Sequence, residues 1–250
     1  MERYFEINEE GHNIRCKLYC SDPREIRKIV IFGHGFGGHK DNGAAETFAK
    51  KMLAKYKGTA MITFNWPSHG DDVKKKIALS DCSAYLNLVT GYAREKYGAQ
   101  LYAYATSFGG YLVLKYLAEQ GNPFERIALR CPAVNMYEVL TRAIMASDEV
   151  DRLRRGKDVP VGFDRKVLVS PRFLQELEET DIRRFDYLDY AEDILILHGT
   201  VDEIVPFETV RDFCEEQLIE FVPVEGADHR FRNPLKMEEA IKQILAFFFG

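Results

Sequence analysis

No apolar run in this chain approaches the roughly 20 consecutive residues that a membrane-crossing helix needs. The longest late run, residues 244–249, fits the buried face of a terminal helix instead. The opening Met1-Glu2-Arg3-Tyr4-Phe5-Glu6 holds no basic segment followed by an apolar stretch, so no secretory leader is expected. Cysteine is scarce, odd in number and scattered (Cys16, Cys20, Cys82, Cys131, Cys214), which argues against a disulfide framework. Reduced thiols and a cytoplasmic location are the expectation. Cys16 and Cys20 are four apart in an expected strand, hence on one face. With no second pair beside them, they read as small apolar side chains and not as a metal site. Basic surplus is missing too: the net charge of -5 gives no reason to expect nucleic acid or an anionic membrane as partner. No repeat or low-complexity linker interrupts the 250 residues.

The chain does contain a regular alternation of strand-like and helix-like segments. Residues 4–7 and 14–19 read as a hairpin joined through Asn8-Glu9-Glu10-Gly11. Buried strands are expected at 28–32, 59–64, 101–105, 127–131, 194–198 and 219–224, with helices at 44–56, 80–97, after Ser107, at 207–216 and at 234–249. Ser80 or Asp81 is the expected cap of the second helix. Such alternation implies parallel pairing, right-handed crossovers and a sheet covered on both faces. The rhythm breaks over residues 133–190, where only helix-like pieces at 136–145 and 172–177 and many charges are visible. A stretch this long is expected to be a cap or lid, inserted in a core of residues 1–132 and 191–250.

Ala105-Thr106-Ser107-Phe108-Gly109 joins a strand to a helix. A serine there, with small residues two positions to either side, has the form of a nucleophile elbow, although the usual Gly-x-Ser-x-Gly has alanine at its first place. On the pentapeptide alone, an N-cap serine is an equal reading. A serine hydroxyl also needs a base, and the base needs an orienting acid. His229 lies in Glu225-Gly226-Ala227-Asp228-His229 after the last strand, and Asp202 in His198-Gly199-Thr200-Val201-Asp202 after the strand before it. Glu203 is the rival acid; Asp228, directly beside His229, is poorly placed to orient it. An oxyanion needs amide donors. Phe108, directly after the serine, offers one, and Phe36 in Gly33-His34-Gly35-Phe36-Gly37-Gly38 is the candidate for the other. That turn fits neither the Gly-x-Gly-x-x-Gly nor the Walker phosphate pattern. His34 is expected to brace it, ahead of a metal role with His39 and Asp41. In Asn65-Trp66-Pro67-Ser68-His69-Gly70-Asp71-Asp72, Ser68 is a nucleophile on composition only, and Ser68 and His69 are read as structuring that loop.

Together these segments resemble the α/β-hydrolase superfamily, its serine esterase and peptidase-like branch, and in particular the cinnamoyl (feruloyl) esterases. His34-Gly35-Phe36-Gly37-Gly38 is similar to the oxyanion loop of that branch. Ser68-His69-Gly70-Asp71 is similar to its Gly-His-Gly-x-Ser turn, with Ser68 for glycine and Asp72 for serine. His198 to Pro206 resembles its acid loop, and Gly226-Ala227-Asp228-His229-Arg230-Phe231 its base loop. The resemblance runs from about residue 28 to the end, outside the insertion. It implies an α/β-hydrolase fold, a mostly parallel sheet of about eight strands with helices on both faces. It further implies Ser107 as nucleophile, Asp202 and His229 as acid and base, Phe36 and Phe108 as oxyanion amides, and no cofactor or metal. The expected partner is a small-molecule carboxylic ester, with a homodimer left open. Amide, peptide and thioester cleavage are the alternatives, as is a hydrolase fold that binds without turnover.

Overall fold

The computed structural model describes residues 1–72 and 76–250, without the side chain of Asp72. Eight strands form one twisted sheet: β1 (Glu2–Glu9), β2 (His12–Cys20), β3 (Lys28–Gly33), β4 (Thr59–Phe64), β5 (Gln100–Thr106), β6 (Arg126–Arg130), β9 (Ile194–Gly199) and β10 (Glu220–Val224). Their order is β1-β2-β4-β3-β5-β6-β9-β10. Only β2 runs against the rest, pairing antiparallel with β1 and β4. The opening hairpin is longer than the sequence suggests. Both strands extend until Glu10 and Gly11 alone turn the chain, each at positive φ, which suits a two-residue hairpin turn.

The strands from β3 onward are joined by helices, because parallel neighbours need a crossover. Helices α1 (Gly43–Lys55) and α8 (Pro234–Phe249) cover one face, and α2 (Leu79–Tyr97), α3 (Phe108–Gln120) and α7 (Phe207–Gln217) the other. Asn42 caps α1 through bonds from Ala44 and Ala45 N–H. The α2 cap differs from the sequence expectation. The helix starts at Leu79, neither Ser80 nor Asp81 caps it, and the Leu79 N–H is met by Glu176 at 3.0 Å. A residue distant in sequence fills that role, so no local pattern announces it.

Residues 133–190 contain more regular structure than their sequence shows. Helix α4 (Met136–Glu138) runs on as a π-helical stretch, Val139–Ile144. Then follow α5 (Ser147–Arg154), a small antiparallel pair β7 (Val159–Val161) and β8 (Val167–Val169), and α6 (Pro171–Glu179). The apolar residues of this segment join the same core as α2 and α3. Phe173 meets Phe108 edge-on at 6.3 Å, and the Tyr111 hydroxyl donates to Thr180 O at 2.9 Å.

Close approach fixes where α3 starts. A Cβ on Gly109 would lie far inside van der Waals contact of Gly33 O and His34 O. We therefore expect Gly109→Ala to lower the unfolding free energy by roughly 1–3 kcal/mol through overpacking. Urea unfolding checks this, and an unchanged midpoint would contradict it. The alanine at 105 is explained by the same crossing. Its register partner in β3 is Gly33, which carries no side chain, so the Ala105 methyl occupies space that Gly33 leaves empty.

Candidate active site

The sheet brings its loops to one edge. Ser107 sits between β5 and α3 with φ 53° and ψ -118°, a backbone state that side-chain-bearing residues seldom adopt. Three backbone bonds hold it there: Ser107 N–H donates to Arg130 O, and Ser107 O accepts from Tyr111 and Ala133 N–H, each at 3.1 Å. Ser107 stands at the N-cap position of α3, but its side chain makes no capping bond. The hydroxyl lies 3.0 Å from His229 Nε2.

On the other side of that ring, His229 Nδ1 lies 2.8 Å from Asp202 Oδ2. Asp202 Oδ1 accepts from Ile204 N–H at 2.9 Å and Val205 N–H at 2.8 Å, so the carboxylate is fixed at both oxygens. Its side chain is fully buried. Burial alone would favour the neutral acid, yet the bond and charge of His229, the Val205 N–H and His198 outweigh it and hold the carboxyl below its ordinary value. The rivals are engaged elsewhere. Glu203 accepts the His229 backbone N–H at 3.1 Å and pairs with Arg232, while Asp228 accepts from Arg232 N–H and its guanidinium.

His198 is a residue whose part the sequence did not reveal. It is fully buried, and its Nε2 lies 3.0 Å from Val205 O and 3.3 Å from Asp202 Oδ2. Burial lowers its pKa despite the carboxylate, and the ring buttresses Asp202 from behind. Cys131 completes a compact cluster with His198 and Asp202, its thiol pushed far up by burial and thus protonated. With Asp202 committed to His229 and two amides, that cluster has little left to offer an ion.

The turn after β3 lies against Ser107: a Cβ on Gly35 would come within 3.2 Å of Ser107 Cβ. Gly38 N–H closes the turn on Gly35 O at 2.9 Å, and Gly37 takes φ +71°, as a type II turn requires at its third residue. Neither Phe36 N–H nor Phe108 N–H is spent on a bond among the described residues. The Phe108 amide opens α3, where helical amides have no internal partner. His34 braces the turn through Nδ1 to Gly35 O at 2.9 Å, with Nε2 accepting from Trp66 N–H at 3.3 Å. Both ring nitrogens are therefore in use, and His34 forms no ligand group with His39 and Asp41. Ser68 is fully buried with its hydroxyl unpartnered among the described residues, so it bonds neither His229 nor Asp202. His69 packs on the Phe108 ring and bonds Pro67 O at 2.8 Å.

The buried rings of His34 and His69 have a consequence for acid stability. Burial holds His34 far below its usual pKa and brings His69 to about 4. The unfolded chain, with histidines near 6.5, then binds more protons than the fold in the window between. Stability is expected to fall as pH drops from about 6.5 toward 4, ahead of the loss caused by carboxylates at still lower pH. Chemical unfolding at pH 7 and pH 5 checks this; equal midpoints, or a higher one at pH 5, would contradict it.

A cavity of about 780 Å³ opens at Ser107 and His229. Residues 133–190 contribute Ile144, Phe163, Asp164 and Arg165 to its wall, and the turn after β3 contributes Phe36. Gly37 lies close under Arg165 O, so the β7–β8 hairpin and that turn form one side of the opening.

The sequence profile of the prolyl oligopeptidase family matches residues 51–250. The chain belongs to the prolyl oligopeptidase family. That family match includes Ser107, Asp202 and His229 and most of the sheet, and with it the chain is a hydrolase-type α/β protein. Solved structures of low identity share the fold. The esterase Est1E from Butyrivibrio proteoclasticus, with ferulic acid bound, superposes with a TM-score of 0.77 at 17% identity, covering 97% of this chain and 98% of that one. The esterase domain of a Rhodothermus marinus protein gives 0.71 at 18%, covering 99% and 97%. A monoacylglycerol lipase from Paleococcus ferrophilus gives 0.67 at 20%, covering 95% and 98%. No helix among the described residues is long and apolar enough to cross a membrane.

Proposed function

We propose that this protein is a serine hydrolase of small carboxylic esters, working through an acyl-enzyme. The observation that carries the reading is the unbroken chain from the Ser107 hydroxyl through the His229 ring to Asp202, at 3.0 and 2.8 Å, on a strained elbow. Ser107 Oγ attacks the ester carbonyl while His229 Nε2 takes its proton. Asp202 holds Nδ1 protonated and stabilises the imidazolium. The Phe36 and Phe108 amides receive the oxyanion. His229 then passes the proton to the departing alcohol, and water, activated by the same ring, releases the acid.

Residues 133–190 act as the cap that shapes the pocket. Phe36, Ile144, Phe163 and Ile204 give it apolar surface suited to an aromatic or short acyl group. The ferulic acid bound to the Butyrivibrio esterase supports hydroxycinnamate esters as the first to try. Membership of the prolyl oligopeptidase family favours a second reading, cleavage of a proline-containing peptide, since the same groups can expel an amine. A matched panel of feruloyl, acetyl and butyryl esters, the corresponding anilides and thioesters, and a prolyl-anilide peptide tests both. Turnover of esters well above the anilides is expected. Cleavage confined to the prolyl anilide would replace this reading with the second.

A further inference from the structure

The pocket at Ser107 is lined by four guanidinium groups, Arg130, Arg165, Arg230 and Arg232, against the carboxylates of Asp164 and Glu203. Three of the four are exposed or partly so. Arg230 lies 3.6 Å from Asp164, Arg232 is bonded to Glu203 and Asp228, and Arg165 has no ion pair among the described residues. Arg130 is different. It ends β6, is 7% exposed, and has no carboxylate within ion-pair distance among the described residues. Its Nη1 donates to Arg230 O at 3.2 Å and meets Met237 Sδ at 3.9 Å, the Phe231 ring lies 4.9 Å beneath the guanidinium carbon, and its buried Nε has no partner among the described residues. The Tyr104 hydroxyl facing it is kept protonated by burial and supplies no charge. A buried cation without a counter-charge is costly, and a carbonyl and a ring face offset only part of that cost. An anion arriving in the pocket would supply the rest.

Resting on the esterase reading, we infer that Arg130 receives a carboxylate or phosphate on the leaving-alcohol side of the substrate. The sheet order assigns the side. β5, which carries Ser107, lies between β3 and β6. Phe36 follows β3, so the carbonyl oxygen points that way. Arg130 closes β6 on the opposite flank and bonds the loop that carries His229. The departing oxygen must lie on the His229 flank to receive its proton. The alcohol portion therefore runs past Arg130, with Arg230 and Arg232 farther out. A planar guanidinium suits either anion, because both offer two oxygens to its fork.

The test compares kcat/KM for phenyl acetate, 4-carboxyphenyl acetate and 4-phosphonophenyl acetate, each divided by its alkaline hydrolysis rate, with phenyl hydrogen succinate against phenyl butyrate as the acyl-side pair. At low salt the wild type should favour at least one anionic leaving group roughly 10- to 100-fold over phenyl acetate, and the two anionic esters show which anion fits. In Arg130→Met, which keeps the contact with Phe231, that ratio should fall close to one, and Arg130→Lys should lie between. A wild-type ratio near one, a preference that survives Arg130→Met, or a preference confined to the acyl-side pair would overturn the inference while leaving the esterase reading intact. If Arg130→Met does not fold, Arg130→Lys decides: a ratio reduced from the wild type's supports the inference, and a ratio equal to it overturns it. If no ester is hydrolysed, the esterase reading fails. Arg130 is then tested by calorimetric titration with 4-hydroxybenzoate against phenol: tighter binding of the anion supports it, and equal binding overturns it.

Discussion

Replacing Ser107 by alanine is expected to lower ester turnover by about 10⁴- to 10⁶-fold, as losing the nucleophile does in other serine triads. The fold should be indifferent to the change. Among the described residues the Ser107 hydroxyl makes one bond, to His229, while the backbone bonds that shape the elbow belong to its amide and carbonyl. Alanine at φ 53° is somewhat less comfortable than serine, so a loss of stability of about 1 kcal/mol is the most that should appear. A thermal melt alongside the kinetics separates the two effects. Activity kept within tenfold in a folded variant would remove Ser107 from the chemistry.

The second large effect is expected at Asp202. In Asp202→Asn, the side-chain carbonyl can still accept the Ile204 and Val205 amides, so the loop keeps its shape. The new amide group, however, faces His229 Nδ1 as a donor and favours the tautomer with its proton on Nε2. That nitrogen can then no longer accept from Ser107. A loss on the order of 10⁴-fold in kcat follows, the size seen for this change in other triads. Glu203→Gln is the matched control. Glu203 holds the His229 backbone and Arg232 and does not touch the ring, so it should cost far less. Equal losses in the two variants would mean that the loop, and not the charge behind the imidazole, sets the rate.

The loops of Ser107, Asp202 and His229, which the structure brings together, were legible in the sequence because few residue types could serve the chemistry proposed for them, and because each follows a buried strand. The sheet was legible for a related reason: β3, β4, β5 and β9 are buried on both faces and read as continuous apolar runs. The insertion was not. Strands β7 and β8 are three residues each, one with Pro160 at its centre, and α5 is almost wholly charged outside Val150 and Leu153. Their order comes from packing on one another and on α6, which in turn packs on α2, contacts no local pattern encodes. Arg130 and His198 were missed for the same reason. An arginine at a strand end reads as a solvated terminus until α8, Phe231 and the His229 loop close over it. His198 reads as part of a loop motif until the chain folds it under Asp202. Gly33 shows the converse, a residue whose importance is the side chain it lacks.

The central claim is that Ser107 is an activated nucleophile. Intact-protein and peptide mass spectrometry after treatment with a fluorophosphonate tests it most directly, with no need to know the substrate. The predicted result is a single phosphonyl adduct on Ser107, formed rapidly in the wild type, slowly in Asp202→Asn and not at all in Ser107→Ala. A folded wild-type protein that remains unlabelled, or that carries the adduct on another residue, would contradict it.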